Sequence, residues 1–183
     1  NRLRLTQYGL EGQVREINLA GAKLAKAAAG DKGLVAGAVG PLGVRLEPYG
    51  PTALDEAREI FREQMRALKE GGADLFILET FADLHEIQQA ILAARDVSPA
   101  TPIVAQMTVG EDCHTPYGAS VEDVARRLDE WGADIIGLNC SVGPQTILEC
   151  IEKMATVTTR KLSAQPNAGM PREVEGRKMY MAS

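Results

Sequence analysis

Two strand ends carry the side chains best suited to chemistry. In Trp131–Pro144 an apolar run, Ile135 to Leu138, stops at Asn139 and Cys140, and the turn Ser141-Val142-Gly143 and Pro144 follow at once. A thiol thus stands where a buried strand ends and a helix begins, the edge at which parallel α/β folds collect their active groups. As a thiolate it is a nucleophile or a metal ligand. As a buried thiol it is only a small hydrophobe. A second run, Asp74 to Leu78, ends on Glu79 and Thr80. A carboxylate directly after a buried strand is costly unless paired, so Glu79 points to contact with a bound partner. Its plainer reading is a helix cap or a surface ion pair. Asn139 either binds a ligand or ties down its own turn.

Other reactive groups are weaker candidates. Cys113 and His114 are adjacent, as metal ligands can be, but lie in a polar loop. Cys150 falls on the Ile147–Ile151 face of a helix and reads as core. His85 lies near a helix start and is expected to face solvent. Gln106 and Asn167 belong to the same set of strand ends and are expected to line a pocket there. Ser141-Val142-Gly143 has the form of an anion cradle, though a tight turn needs the same glycine.

Composition narrows the classes. A chain of 183 residues suits one domain, expected to span 1–183. The net charge of −5 is spread over interspersed acids and bases, with no basic stripe or aromatic run, so nucleic-acid binding is not expected. No apolar run reaches the ~18 residues of a membrane helix, and the start lacks a signal-peptide core, so no membrane partner is expected. Three widely spaced cysteines argue against a disulfide framework and for a reducing, cytoplasmic setting.

The elements that must hold these groups alternate. Helical faces read through Val14, Ile17, Gly21, Leu24, Ala25 and Ala28; then Leu54, Ala57, Phe61, Met65 and Leu68; then Leu84, Ile87, Ile91 and Ala94. Two more run through Val121, Val124, Leu128 and Trp131, and through Ile147, Leu148, Ile151 and Met154. Thr52 with Asp55, and Ser120 with Asp123, have the spacing of capping boxes. Strands are expected at 34–39, 74–80, 102–108, 135–138 and 161–165. Gly72-Ala-Asp74 before one strand repeats as Gly132-Ala-Asp134 before another. A repeated helix–turn–strand unit implies right-handed crossovers and a parallel sheet. An open doubly wound sheet would carry a glycine-rich nucleotide turn, and Gly37–Gly43 does not match one. Polar residues ending several strands fit the C-terminal face of a (β/α)8 TIM barrel instead, here with five of its eight strands.

Four segments in order now carry a resemblance: Val39-Gly-Pro-Leu-Gly43, Glu79-Thr-Phe81, Gly137-Leu-Asn-Cys-Ser-Val-Gly-Pro144 and Gln165-Pro-Asn-Ala-Gly169. Together they resemble the homocysteine S-methyltransferase domain, most of all the version fused to a methylenetetrahydrofolate reductase domain in bacteria. The resemblance implies zinc-dependent transfer of a methyl group from a small-molecule donor to homocysteine, giving methionine. It implies Cys140 as one of three zinc cysteines and Glu79, within the Glu-Thr80 motif, as the partner of the homocysteine amino group, with Asn139 beside them. The family's adjacent Cys-Cys pair and its first-strand Asp-Gly-Ala-Met-Gly-Thr motif are absent from this sequence. The expectation is therefore an incomplete barrel, about strands 3 to 7 of the domain. Two other readings stand beside it: a non-catalytic structural piece of that barrel, and an unrelated barrel enzyme using Glu79 as a base.

Overall fold

The computed structural model describes residues 1–169 and 171–180. A short helix α1 (Arg2–Thr6) and a longer one, α2 (Val14–Ala29), precede the first strand. Strands β1 (Ala36–Val39), β2 (Leu75–Phe81), β3 (Ile103–Met107), β4 (Ile135–Asn139) and β5 (Lys161–Gln165) then alternate with helices. The helices are α3 (Leu54–Glu70), α4 (Leu84–Val97), α5 (Val121–Glu130) and α6 (Pro144–Ala155). All five strands pair in parallel and in sequence order, β1-β2-β3-β4-β5. Sequential order is what a barrel wall requires, whereas a doubly wound sheet reverses direction at a switch point. A two-stranded antiparallel ribbon, β6 (Pro171–Val174) and β7 (Arg177–Tyr180), follows and was not expected from the sequence.

The core lies between the helices and one face of the sheet. Phe61, Phe76, Phe81, Ile87, Ile91, Ile103, Met107 and Leu128 are fully buried there. Burial of side chains of this size stabilises by about 1.5–3 kcal/mol each. The sheet has two edge strands, β1, which alternates buried and exposed residues, and β5, which buries none of its five. Helix α2 forms at the expected place, but Leu24 and Ile17 of its apolar face remain exposed.

The Gly-Ala-Asp repeat performs one structural task twice. Asp74 Oδ2 accepts from Val35 N at 2.7 Å and pairs with Lys26 of α2 at 2.8 Å. Asp134 Oδ2 accepts from Ile103 N at 2.8 Å and pairs with Arg95 of α4 at 2.9 Å. Each aspartate thus joins the start of the neighbouring strand to the end of the helix before that strand. Gly72 and Gly132 take φ of 99° and 82°, the left-handed stop each helix needs. Lys26 and the Val35 N–H hold the Asp74 carboxyl below its ordinary range. Burial opposes the same shift at Asp134, where Arg95 and the Ile103 N–H outweigh it.

Two expectations fail. The Thr52/Asp55 capping box does not form, because helix α3 takes Ala53 as its N-cap, which has no side-chain oxygen. At α5 the cap does form, with Ser120 Oγ accepting from Asp123 N at 3.2 Å. The cysteines are also not all free. Cys113 and Cys150 form a disulfide, with Cα atoms 5.6 Å apart. Their 37-residue separation hid the pairing, because the β3–α5 loop folds back over α6, where Thr146 also bonds Glu111. Cys150 is fully buried, as a core residue would be.

Candidate functional site

The C-terminal ends of the strands form one rim. Glu79 and Thr80 lie near the end of β2, Thr108 follows β3, Asn139 ends β4 with Cys140 next after it, and Gln165 ends β5. An open cleft of about 500 Å³ lies at this rim, lined by Arg4, Gly40, Pro41, Gln64, Glu79 and Thr80 together with Asn1. The half-buried Glu79 carboxylate has no hydrogen-bond or ion-pair partner among the described residues. It is therefore free to receive a cation.

Asn139 is buried and reaches across β3 to Thr80. Its Oδ1 accepts from Thr80 N at 2.8 Å, and its Nδ2 donates to Thr80 Oγ1 at 2.9 Å. Thr80 sits at φ 64°, a conformation rare for a β-branched residue and costing roughly 1–3 kcal/mol. The paired bonds hold it there. The amide of Asn139 thus serves the strand ends, and Thr80 carries Glu79 beside it.

Cys140 has the one free thiol among the described residues and is half-buried. Its backbone is over-determined. Cys140 N donates to Gln165 O at 3.0 Å, and its carbonyl accepts from Val142 N at 2.8 Å. Cys140 and Ser141 take φ of 63° and 62°, and the Ser141 hydroxyl bonds that of Thr108. Consecutive left-handed residues turn the chain sharply off β4 and present the thiol at the rim. Cys140 does not line the Glu79 cleft; it directly follows Asn139, which bonds Thr80 of that cleft.

One step below the rim, Gln106, Gly137 and Ser163 form a row across β3, β4 and β5. Gln106 Nε2 reaches over the bare Gly137 to Ser163 Oγ at 2.8 Å. A Cβ on Gly137 would lie 1.9 Å from the Ser163 carbonyl oxygen, so this position needs glycine. Gln106 is thus turned to β5, and its Oε1 is buried without a partner among the described residues. Asn167 is bound by its own backbone to Val142 O at 3.0 Å. His85 is half-exposed, as expected, with Nδ1 3.3 Å from Asp83. His114 bonds Asp112 within its own loop, and its neighbour Cys113 is committed to Cys150.

Two further residues carry no signal in the sequence. Arg4 reaches the cleft from α1, with Nε 3.5 Å from Pro41 O. Glu86 on α4 accepts from Leu42 N at 2.7 Å in a buried position. Burial pushes its carboxyl up to about 7, the charge of Asp83 adds to this, and the Leu42 N–H and Arg4 act in the opposite direction. Neither belongs to a motif, so only long-range contact reveals them.

A metal centre is not complete within these residues. Among the described residues no group of three or more His, Cys, Asp or Glu side chains is placed to hold a metal ion. At the rim Cys140 offers a thiol, the ligand type of cysteine-rich zinc sites. No helix among the described residues is long and apolar enough to cross a membrane.

Comparison with known proteins agrees with this architecture. The family model described as homocysteine S-methyltransferase matches residues 1–183. Methionine synthase of Mycobacterium tuberculosis is 28% identical over 181 residues, covering 93% of this chain and 15% of that protein. The apo form of the homocysteine methyltransferase MmuM from Escherichia coli superposes with a TM-score of 0.73 at 23% identity, covering 86% of this chain and 62% of that one. Its metallated form gives 0.73 at 21% identity, covering 92% and 64%. The chain thus spans less than two thirds of each of these relatives, and the structural likeness establishes the fold.

Proposed function

The chain belongs to the homocysteine S-methyltransferase family, and we propose that it supplies the substrate-binding rim of a zinc-dependent barrel that methylates homocysteine. One observation carries the reading: the partnerless Glu79 carboxylate lines an open cleft at the rim of the parallel strands, and a free thiol follows two strands along the same rim. Glu79 receives the homocysteine ammonium. Thr80, held by Asn139, fixes the direction of that carboxylate. Cys140 contributes one thiolate to a zinc site whose remaining ligands lie outside this sequence. Zinc, when bound, keeps the sulfur of homocysteine as a thiolate near neutral pH. The methyl donor is a small molecule, and residues 1–183 form part of one barrel domain.

Alternatives from other classes make different predictions. A structural piece has no use for a partnerless Glu79, and a barrel using Glu79 as a base has no use for zinc. The test uses the full-length protein that carries this domain. Cys140→Ala is expected to remove zinc and activity together; stoichiometric zinc retained in that variant counts against the assignment. Glu79→Ala is expected to weaken homocysteine binding by about 2–3 kcal/mol, the scale of a lost charge-assisted bond, with zinc content unchanged. Unaltered homocysteine affinity removes Glu79 from the site.

A further inference from the structure

Pro41 and Leu42 share one peptide group, and that group is gripped from both ends. Its carbonyl oxygen lies 3.5 Å from Asn1 Nδ2 and 3.5 Å from Arg4 Nε. Its N–H donates to Glu86 Oε1 at 2.7 Å. Glu86 lies in the first turn of α4, only 6% exposed, and Leu42 is 1% exposed. The charged groups that bear on it are Asp83 of its own element and Arg4 from α1.

A carboxylate in this position is expensive. A buried acid costs folding free energy unless it is fully paired, and Glu86 has one backbone donor and no direct ion pair among the described residues. An apolar side chain would suit the helix–loop packing better. What Glu86 adds is direction. Pro41 has no N–H of its own, so the Leu42 N–H is the first amide after Gly40 that can anchor this turn. Gly43, at φ 85°, follows immediately, in a conformation that favours glycine.

The anchor also ties the two walls of the cleft to one segment. Glu79 at the end of β2 forms one wall, and Gly40 with Pro41 forms part of another. Glu86 stands seven residues after Glu79 on the chain that leaves β2, past the Asp83 cap of α4. A single stretch, residues 79–86, therefore presents the substrate-binding carboxylate and holds the neighbouring turn.

We propose that Glu86 is a positioning residue of the homocysteine cleft, fixing the Pro41–Leu42 peptide as a wall at a set distance from Glu79. It touches no substrate and acts through the Leu42 N–H. The inference rests on the reading of this cleft as the homocysteine site.

The test compares three variants of the full-length protein in steady-state methyl transfer. Glu86→Met keeps the volume and removes the acceptor. It should raise the homocysteine KM about tenfold, the scale of one lost hydrogen bond, with kcat and the donor KM within about twofold. Glu86→Gln keeps an acceptor oxygen at the same reach and should restore the KM to within about twofold. Glu79→Ala controls the underlying reading. If Glu79→Ala raises the KM while Glu86→Met does not, the positioning role is wrong and the cleft assignment stands. If neither changes it, both are wrong. Equal losses in Glu86→Met and Glu86→Gln also overturn the proposal, because the acceptor oxygen would then not be what matters. Should Glu86→Met fail to fold, amide exchange in the unaltered protein decides: the Leu42 N–H should exchange at least about a hundredfold slower than a free amide, and unprotected exchange overturns the proposal.

Discussion

Asn139 grips Thr80 from across an intervening strand, accepting from its N–H at 2.8 Å and donating to its hydroxyl at 2.9 Å. The two residues end β4 and β2, with β3 between them. The pair therefore locks the rim at the point where the Glu79 carboxylate emerges. Both functional groups of the Asn139 amide are used, and Thr80 keeps its left-handed backbone only while they hold. Asn139→Ala should lower unfolding free energy by about 2–3 kcal/mol, the combined scale of two buried bonds. Thr80→Ser keeps the hydroxyl and should stay within about 0.5 kcal/mol of the parent. Denaturant melts of the three proteins check this. Equal stability of the Asn139→Ala protein would show that the bonds hold nothing.

Gly137 is constrained by space. The Gln106 amide passes over it to Ser163, and a Cβ there would fall 1.9 Å from a backbone oxygen of β5. Backbone cannot rotate away as a side-chain tip can. Gly137→Ala should therefore detach or shift β5 and cost more than about 3 kcal/mol, toward the extreme of single substitutions. Gly143→Ala, where nothing stands within 4 Å of the added carbon, is the control and should be nearly neutral. A Gly137→Ala protein that melts like the parent would mean that β4 and β5 are not this close.

Much of this arrangement is legible in the sequence because it is local. Apolar runs, glycine stops and strand-end polar pairs give the five strands, their parallel pairing and the positions of Glu79, Thr80, Asn139 and Cys140. The Gly-Ala-Asp repeat is visible as a string, but the task of its aspartates is not, since their partners Val35, Lys26, Ile103 and Arg95 lie 31 to 48 residues away. The same distance hides Glu86, which looks like any first-turn acid of an amphipathic helix until Leu42 is folded onto it. At Thr52 and Asp55 the spacing of a capping box is present without its geometry, because helix α3 starts at Leu54. The sequence allows Asn139 to be a ligand or a turn tie, and the fold adds a third use, a tie to another strand.

The cysteines separate by reactivity. Cys113 and Cys150 close a loop of 37 residues between the β3–α5 loop and α6. Chain-entropy arguments assign such a loop about 3–4 kcal/mol. In the denatured, non-reduced protein, alkylation should label Cys140 alone; after reduction all three cysteines should react. Reduction should also lower the melting temperature. Three labels without reductant would show that the pair is not bonded.

Glu86 gives the protein a pH signature. Its carboxyl, buried and beside Asp83, titrates at about 7 in the folded chain, above the ordinary value of 4.5. A raised acid favours its neutral form when folded, so ionising it costs stability. For this group, stability falls as pH rises from about 4.5 to about 7 and stays lower above that. Glu86→Gln does not ionise. The variant should gain on the parent across that interval, by about 3 kcal/mol at most, and the difference should be level above about pH 8. Denaturant melts of both proteins at intervals from pH 4.5 to 8.5 measure it. A difference independent of pH would mean that Glu86 is ionised throughout, with solvent reaching it. A difference that grows as described would mean that the protein retains an acid that destabilises it at neutral pH, as expected where the Leu42 anchor matters more than the stability of the helix beneath it.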